Sequence, residues 1–252
     1  MISILNFASS FVGTLLAEGR GVAAVKNPTH PVLPLELYDM ESCPFCRMVR
    51  EVLTQLDLNV IIYPCPSNGT RYRPIAEQLG GKQQFPLLVD PNTNERIYES
   101  HDIIAYLYQK YGDGQIESKL YTRLVRTPSS IAISAVRLFK GRKARKSIAP
   151  KQPLILYSFE SSPFARLVRE VLSEHEIPYL LLNVGRTQWQ DYIPPLVRQH
   201  LLADFKPSHK NRLGLTERSG NVTVPYLIDP NTQIEMGESA DIVEYLIENY
   251  AG

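Results

Sequence analysis

Two cysteines of this 252-residue chain stand three positions apart in a setting that suits thiol chemistry. Cys43-Pro-Phe-Cys46 follows a short apolar segment and opens a segment with helical periodicity. At the first turn of a helix, unpaired N–H groups and the macrodipole favour a thiolate, which lowers a cysteine pKa from about 8.5 to between about 3.5 and 7.5. Cys46, one turn later, can attack a mixed disulfide on Cys43. We therefore predict a redox-active dithiol, with Cys43 as nucleophile, Cys46 as resolving thiol, and Arg47 and Arg50 adding positive charge nearby.

Other roles for the pair fit the sequence less well. A zinc site needs a second pair of ligands, and no other Cys or His has a suitable spacing, so we expect no metal. A buried structural pair does not need a proline between its thiols. Three cysteines cannot form the disulfide framework of a secreted domain, which favours a reducing compartment. We expect the cytoplasm, or the plastid stroma if a transit peptide has been trimmed.

The segment around the dithiol occurs twice, with one chemical edit. Residues 35–53 return as residues 154–172, and about two thirds of the positions are identical. Cys43 and Cys46 become Ser162 and Ala165 in the second copy. Since the second copy has no thiol of its own, it is expected to be unable to exchange disulfides.

Two further segments recur in the same order. Residues 85–93 and 99–107 return as residues 224–232 and 238–246, at a shift of 139 positions rather than 119. The second copy therefore carries an insertion of about twenty residues, which we place around 187–220, near Trp189.

Each copy is predicted to fold as strand, helix, strand, helix, strand, strand, helix. In the first copy the strands are expected at 35–40, 58–63, 86–89 and 96–98, and the helices from Pro44, at 72–79 and at 100–111, with Phe45, Val49, Val52 and Leu53 on the buried face of the first helix. This alternation predicts an α/β fold whose first two strands are parallel. Their carboxyl ends share one edge of the sheet, where Cys43 and Cys65 both lie. Cys65 is a candidate accessory thiol, although a shielded loop cysteine is the simpler interpretation.

The remaining segments are an amino-terminal extension, residues 1–34, and a linker, residues 113–153. The extension is apolar, but it lacks a basic start and has Glu18-Gly-Arg20 where a signal peptide would be cleaved. We predict an amphipathic helix that packs on the protein rather than on a membrane, and no apolar run reaches the ~18 residues of a membrane span.

The linker is expected to be partly helical, at 120–126 and 131–139. Its basic run, residues 137–146, suits phosphate backbones or anionic lipid, but a solvated linker is the favoured interpretation. The formal net charge of +1 gives no sign of a nucleic-acid partner.

Three separated motifs together resemble a known superfamily. Cys43-Pro-Phe-Cys46, Phe85-Pro86 and Glu99-Ser100, in this order, are similar to a glutaredoxin or to the amino-terminal, thioredoxin-like domain of a glutathione S-transferase. The resemblance covers residues 35–111 and 154–250, and the whole chain is similar to tandem proteins of this superfamily from photosynthetic organisms. It implies two tandem thioredoxin-like (βαβαββα) domains, residues 35–112 and 154–252, joined by the partly helical linker and packed as a pseudo-dimer.

The resemblance also implies a glutathione site in the first copy. Phe85-Pro86 would hold a cis bond and leave the Phe85 main chain free to pair with the cysteinyl part of glutathione. Glu99 and Ser100 would receive the γ-glutamyl carboxylate at a helix N-terminus, as helix N-termini receive anions. Ser100 acting as a plain helix cap is compatible with this role.

The second copy keeps the corresponding binding residues: Val224, Pro225, Glu238 and Ser239. Ser162, or Ser161, could donate a hydrogen bond to the thiolate of bound glutathione, as in serine-type transferases. Those enzymes carry an all-helical domain downstream, which is expected to be absent here because the chain ends at Gly252. A binding-only or chemically silent second copy is therefore favoured.

The leading hypothesis is a glutathione-dependent thiol–disulfide oxidoreductase, with glutathione as cosubstrate and a disulfide as substrate. The first alternative is a transferase or isomerase acting on a small electrophile, with a pocket built by the linker and the insertion. The second is a non-catalytic binding or scaffold protein.

Overall fold

Each copy of the repeat folds in the predicted order in the computed structural model, which describes residues 4–25, 29–112, 121–193 and 205–252 and the single residues 197 and 202. An amino-terminal helix, α1 (Ile4–Leu16), comes first. The first copy comprises β1 (Leu35–Asp39), α2 (Pro44–Gln55), β2 (Val60–Pro64), α3 (Arg73–Gly80), β3 (Leu87–Asp90), β4 (Glu95–Tyr98) and α4 (Ser100–Tyr111). A π-helical turn (Thr122–Arg126) and α5 (Thr127–Val136) follow. The second copy comprises β5 (Leu154–Ser158), α6 (Pro163–Glu174), β6 (Tyr179–Asn183), α7 (Lys210–Ser219), β7 (Tyr226–Asp229), β8 (Ile234–Gly237) and α8 (Ser239–Tyr250).

The strands of both copies form one eight-stranded sheet in the order β4-β3-β1-β2-β6-β5-β7-β8. Within each copy the first two strands are parallel, as predicted. The third strand is antiparallel to the first, and the fourth is antiparallel to the third. The copies join where β2 pairs with β6 in antiparallel fashion, Ile61 opposite Leu180. The palindromic strand order relates the copies by an approximate two-fold axis at this pair. The predicted α/β class and tandem organisation are confirmed.

The largest hydrophobic cluster extends through both copies, and each copy has a smaller cluster of its own. Alternating strand residues such as Leu35 and Leu37 meet the apolar face of α2, and Leu154 and Leu156 repeat the arrangement in the second copy. One expectation was wrong: Phe45, predicted on the buried face of α2, is 44% exposed. It lies in the first turn of the helix, before the face that meets the core begins at Met48 and Val49.

The two helices that precede the copies are exchanged between them. α1 precedes the first copy but packs on α6 of the second, and α5 precedes the second copy but packs on α2 of the first. The Ser10 hydroxyl on α1 donates to the Pro163 carbonyl over 2.6 Å. The helices also pack on each other, with Gly13 of α1 close to Ile133 of α5. Each copy is therefore covered by the helix that precedes the other copy in the chain.

The amino-terminal extension and the linker correspond to each other and are also part of the repeat. Their residues alone had predicted two unrelated segments. Gly21 and Gly141, 120 positions apart, both have positive φ angles. The main-chain bond from Ala24 to Arg186 has its equivalent in the bond from Ala144 to Ser67. Few residues are identical between these two segments. Their correspondence is therefore visible in the backbone conformation but not in the sequence. The first residue of the predicted helix at 120–126 lies outside the described residues.

The insertion of about twenty residues lies in the earlier part of the predicted range of 187–220. α7 is the counterpart of α3, because each helix ends at a left-handed glycine, Gly81 and Gly220, which are 139 positions apart. Residues 210–220 are therefore repeat, and the inserted segment precedes them. Its start forms a 3₁₀ turn, Trp189–Tyr192, and residues 194–196, 198–201, 203 and 204 lie outside the described part.

None of the helices that the structure describes is long and apolar enough to cross a membrane.

Candidate dithiol site and its counterpart in the second copy

The sheet brings the predicted residues of the first copy to one edge. Tyr38 of β1 pairs with Leu87 of β3, and Leu87 pairs with Tyr98 of β4. Pro86 and Glu99 therefore lie beside the end of β1, after which the chain reaches Cys43. The Phe85–Pro86 peptide bond is cis, as is Val224–Pro225 in the second copy.

Cys43 and Cys46 have opposite acidities. Cys43 is the N-cap of α2, with Pro44 as first helical residue. Hydrogen bonds from the Cys46 thiol and from the Cys46 and Phe45 amides outweigh burial and lower the pKa of Cys43 to about 7. Burial and the neighbouring Cys43 raise the pKa of Cys46 well above its usual range. Cys43 is thus the thiol that ionises near neutral pH, and Cys46 holds its proton.

Arg47 and Arg50 do not serve Cys43 as expected. The Arg47 Nη1 lies 2.8 Å from Glu160 Oε1, and the Arg50 Nε lies 2.9 Å from Glu160 Oε2. Both guanidinium groups are buried and paired with this carboxylate of the second copy. The low pKa of Cys43 arises mainly from hydrogen bonds, as described above, and the two arginines hold the copies together.

Asp39 lies beneath the dithiol and was not among the predicted site residues. It ends β1, and its Oδ2 accepts a hydrogen bond from Arg50. Its Oδ1 has no hydrogen-bond partner among the described residues. Burial raises the pKa of Asp39 against the opposing effect of Arg50, and the carboxylate acts electrostatically on both cysteines. A buried carboxylate with a free oxygen and a raised pKa can accept a proton.

Asp39 is also a third point of difference between the copies. At the shift of 119 positions it corresponds to Ser158. The second copy therefore lacks both thiols and the carboxylate beneath them. This comparison was visible in the sequence, since residues 35–53 and 154–172 align without a gap.

Cys65 lies at the expected edge but is not activated. Its amide donates to the Asp39 carbonyl, and its Sγ lies 3.5 Å from the Tyr63 carbonyl oxygen. The side chain is fully buried, and burial raises its pKa. Cys65 is thus a neutral thiol at neutral pH, which gives an accessory role in exchange no support.

The Glu-Ser pairs have the same unusual backbone in both copies. Glu99 has φ +62° and Glu238 has φ +61°, and each immediately precedes the last helix of its copy. Such a left-handed glutamate costs about 1–3 kcal/mol and is typical of functional sites. Both glutamates are exposed, whereas Ser100 and Ser239 are buried at the first turn. The second copy has kept this helix N-terminus although it lost the dithiol.

Arg73 and Arg212 were also missed and add positive charge at each edge. The Arg73 Nη1 donates to the Cys65 carbonyl over 3.0 Å, and its guanidinium lies 4.7 Å from the centre of the Phe85 ring. The Arg212 Nη1 donates to the Val184 carbonyl over 2.7 Å. These arginines are 139 positions apart and so occupy equivalent positions of the two copies. An alignment of the copies could therefore have identified them.

The second copy has a cavity of about 460 Å³ where the first has its dithiol. Ser161, Ser162 and Val224 line it, so it adjoins the predicted binding residues. The Ser161 hydroxyl donates to the Arg20 carbonyl. The Ser162 hydroxyl accepts from the Ala165 amide over 3.3 Å and caps α6, which leaves its own hydrogen available to an acceptor.

Aromatic side chains from outside the second copy's βαβαββα unit complete this cavity. Phe11 of α1 packs edge-to-face on Phe164, with ring centres 5.4 Å apart. Tyr192, from the inserted turn, lies 4.7 Å from the Arg186 guanidinium. The exchanged helix and the start of the insertion thus build walls of this cavity.

Buried ion pairs connect the two sites across the two-fold axis. Arg169 lies 3.2 Å from Glu41 and 3.1 Å from Glu160, the equivalent residue of the other copy. Burial alone would raise the pKa of Glu160, but Arg169, Arg50 and Arg47 lower it to about 2. Each carboxylate of this cluster meets more than one guanidinium: Glu41 pairs with Arg50 and Arg169, and Glu160 pairs with Arg47, Arg50 and Arg169.

Within the described residues, no group of three or more His, Cys, Asp or Glu side chains could hold a metal ion.

Comparison with known proteins agrees with this geometry. The family described as "Glutathione S-transferase, N-terminal domain" matches residues 37–115 and 156–252, one match for each copy. No curated protein matches the chain. Among solved structures, the chain is similar to Leishmania TDR1, described as a unique trimeric glutathione transferase, with 14% identity, a TM-score of 0.27, and coverage of 84% of this chain and 67% of that one.

Proposed function

We propose, from the premise that this chain belongs to the glutathione S-transferase N-terminal-domain family, that it is a glutathione-dependent thiol–disulfide oxidoreductase. One observation carries the proposal: Cys43 has a pKa of about 7, beside a protonated Cys46 and the carboxylate of Asp39. A low-pKa nucleophile with a resolving thiol one turn away suits disulfide exchange.

The first half of the reaction reduces a substrate disulfide. The Cys43 thiolate attacks one substrate sulfur, a Cys43–sulfur bond forms, and the other substrate sulfur leaves as a thiolate. Cys46 then loses its proton and attacks the Cys43 sulfur. The Cys43–Cys46 disulfide forms, and the second substrate sulfur leaves, so that the substrate gains two electrons and the protein loses two.

Two glutathione molecules restore the dithiol. The thiolate of the first attacks the protein disulfide and forms a mixed disulfide. The thiolate of the second attacks the glutathione sulfur of that mixed disulfide and leaves as oxidised glutathione. Phe85, Pro86, Glu99 and Ser100 would hold glutathione in this step. The strand pairing supports this role, since Pro86 and Glu99 lie at the edge where β1 ends, four residues before Cys43. The helix N-terminus at Ser100 suits the glutathione carboxylate.

Asp39 is positioned to take the proton that Cys46 must lose. Its Oδ1 is without a hydrogen-bond partner among the described residues, and its pKa is raised by burial. A carboxylate whose pKa lies closer to neutrality is a more effective general base. When the thiolate of the substrate or of glutathione leaves, the proton can return through the same group.

We assign the second copy a glutathione-binding role. Val224, Pro225, Glu238 and Ser239 repeat the arrangement of the first copy, and Ser162 with its available hydrogen lies at the cavity. A transferase acting on a small electrophile is the second candidate function, which the aromatic walls of the 460 Å³ cavity favour. In either case the two copies work side by side as a pseudo-dimer.

All three cysteines are free thiols, which suits a reducing compartment such as the cytoplasm or the plastid stroma.

Trapping the mixed disulfide tests the oxidoreductase directly. After incubation with oxidised glutathione, the Cys46→Ser variant should keep one glutathione on Cys43 by intact mass, because its resolving thiol is gone. The parent chain should instead form the Cys43–Cys46 disulfide and reduce a model disulfide in a glutathione-coupled assay. A parent chain without disulfide reductase activity rules out this function. Conjugation of an electrophile that depends on Ser162 and not on Cys43 would favour the transferase.

A further inference from the structure

The amino-terminal helix presents three large aliphatic side chains to solvent. α1 buries Ser10, Gly13 and Thr14 at least in part, whereas Leu5, Val12 and Leu15 are 80%, 44% and 76% exposed. A helix that only packed on the protein would show the opposite distribution. The predicted helix is present, but only part of its apolar surface meets the protein: Phe7 and Phe11 pack on Phe164, whereas the three aliphatic side chains point to solvent.

The second exchanged helix has a matching apolar stripe. Leu124, Ile131 and Leu138 recur every seventh residue along the π-helical turn, α5 and its end, and they are 66%, 46% and 81% exposed. Residues seven apart share one helix face. Leu5, Val12, Leu15, Leu124, Ile131 and Leu138 are called the apolar platform below.

The two stripes lie side by side because the helices are antiparallel neighbours. At one end, Arg137 donates to the Asn6 carbonyl over 2.8 Å. In the middle, a Cβ on Gly13 would lie 3.2 Å from Ile133. At the other end, Arg20 donates to the Ser129 hydroxyl. Neither Ile4–Leu16 nor Thr127–Val136 contains a charged residue. The platform is therefore a two-helix layer, and an apolar surface of this kind marks an interaction site.

An internal comparison shows that the fold does not need the apolar side chains at one end of the platform. Leu138 and Phe139 occupy the same turn as Glu18 and Gly19, 120 positions earlier, and all four residues have positive φ angles. Glycine suits such a backbone, whereas Leu and Phe are strained in it. The turn nevertheless presents Leu138 and, at 41% exposure, Phe139 to solvent. Their apolar character must serve contact with something else.

The same comparison reveals an added cluster of positive charge. Arg142, Lys143 and Arg145 stand where the earlier segment has Val22, Ala23 and Val25, and all three basic side chains are exposed. The Arg142 guanidinium lies 5.8 Å from the centre of the Phe139 ring, so charge and apolar surface are adjacent. Arg145 also pairs with Glu174 over 2.6 Å.

We propose that the apolar platform docks on the surface of a lipid bilayer that carries anionic headgroups. α1 and α5 would lie in the plane of the interface, with Leu138 and Phe139 inserted and Arg142 and Lys143 on the headgroups. Amphipathic helices bind membranes through apolar area together with attraction to anionic lipid. α1 and α5 contain no acidic residue, so these helices of a second copy would bring no negative charge to the basic residues. Glu18, in the turn after α1, lies 3.5 Å from Arg20 of its own chain. This inference is independent of the dithiol chemistry.

Vesicle flotation of the full chain tests the proposal. Vesicles of phosphatidylcholine with about one third phosphatidylglycerol should carry the protein upward, whereas pure phosphatidylcholine should carry much less. Binding should weaken as salt is raised, because exposed charges are screened.

Variants separate the two contributions. Leu15→Gln with Leu138→Gln should lower the partition coefficient by about 100-fold, since each leucine contributes about tenfold. Arg142→Gln with Lys143→Gln should lower it by about tenfold on anionic vesicles only. Val32→Gln, which changes an apolar residue that is 95% exposed away from the platform, is the matched control and should bind like the parent. These side chains are exposed, and circular dichroism would verify folding.

Three results would overturn the proposal. The first is a parent chain that binds neither kind of vesicle. The second is binding that survives the double leucine substitution, which would leave only non-specific attraction to the basic residues. The third is a dimer by light scattering that the leucine variants convert to monomer without any vesicle binding, which would make a second copy the occupant.

Discussion

The two copies share a scaffold down to individual hydrogen bonds but differ in the groups that can react. Asp90 accepts from Tyr106 and Tyr111 as Asp229 accepts from Tyr245 and Tyr250. The cis prolines and the left-handed glutamates are also common to both. Only the first copy has two thiols above a buried carboxylate. The proposed binding residues and the proposed redox residues therefore lie on different loops of the same sheet edge, and the second copy has one set without the other.

The second difference between the copies is in the residues that surround Cys43 in the first copy and Ser162 in the second. In the second copy, α1 and the inserted turn add Phe11 and Tyr192 to a cavity beside Ser162. In the first copy the equivalent position holds a nearly buried Cys43 on a helix that α5 covers. Thiol–disulfide exchange needs only contact between sulfur atoms, whereas a ligand-binding site needs side chains that surround the ligand. Five predictions test this comparison of the two copies.

The largest expected effect comes from matched substitutions at the two N-caps. Cys43→Ser should reduce glutathione-coupled disulfide reduction by about a thousandfold or more, because a serine hydroxyl is not ionised at neutral pH. Ser162→Ala should change the rate by less than about threefold and lower the free energy of unfolding by about 1 kcal/mol, through loss of the cap. Steady-state kinetics and urea denaturation measure both. Similar kinetic losses in the two variants would contradict the division of roles.

The ion pairs between the copies should control stability. Glu160→Gln leaves Arg47, Arg50 and Arg169 buried without their shared carboxylate, so we expect the free energy of unfolding to fall by about 3–5 kcal/mol. Urea denaturation measures this change. The control is Glu235→Gln, which breaks the exposed pair with Arg218 (2.7 Å) and should cost less than about 1 kcal/mol. Equal effects would show that the buried cluster does not hold the copies together.

The low pKa of Glu160 predicts that the free energy of unfolding depends on pH. The pKa of Glu160 is about 2 in the folded chain, below the value of about 4.3 expected when unfolded. Its contribution to stability is therefore complete above the unfolded pKa and is lost as the pH falls toward 2. Between those values the parent should lose stability more steeply than Glu160→Gln. Parallel acid-denaturation curves would contradict the low pKa.

Asp39→Asn tests the residue that distinguishes the copies beneath the dithiol. If the carboxylate accepts the Cys46 proton, the attack of Cys46 on the mixed disulfide should slow by about 100-fold. The first attack, by Cys43, should change by less than about threefold. Rapid quenching and intact mass would follow both steps in protein verified as folded, since Arg50 also loses a partner. Equal slowing of both steps would assign Asp39 a structural role only, and Ser158→Ala is the matched control.

The smallest effect is the pH dependence of Cys43 itself. Alkylation of Cys43 by iodoacetamide should have a midpoint near pH 7, with the rate falling about tenfold for each pH unit below it. Because the Cys46 thiol is the main source of the low pKa, Cys46→Ala should move the midpoint upward. An unchanged midpoint would mean that the helix N-terminus alone lowers the pKa.

Local features of the sequence predicted the parts of the fold that local physics determines. Alternating residues such as Leu35 and Leu37, the turn at Asp90, and the proline after Cys43 each specify a nearby backbone. The position of the dithiol at a helix N-terminus followed in the same way, whereas the cis bond before Pro86 was implied by the family resemblance. Asp39 was equally visible, because the aligned copies differ there.

The remainder depends on distant contacts that no local pattern contains. Arg50 and Arg169 occupy helices whose charge pattern is typical of a solvated face, yet both are buried, because carboxylates of the opposite copy neutralise them. The exchange of α1 and α5 and the pairing of β2 with β6 arise only when both copies are folded together. Amphipathicity likewise predicted that α1 exists, but not which of its faces meets the protein.

The pairing of β2 with β6 has a consequence for solubility. A single βαβαββα unit would leave its second strand, with Val60, Ile61 and Ile62, as an open edge able to recruit the strands of other chains. In this chain each such edge is closed by its counterpart. The sheet then ends in β4 and β8, two strands of four residues that carry Glu95, Arg96 and Glu235. Short, charged margins resist the growth of a sheet from molecule to molecule, so joining the copies also protects the protein from aggregation.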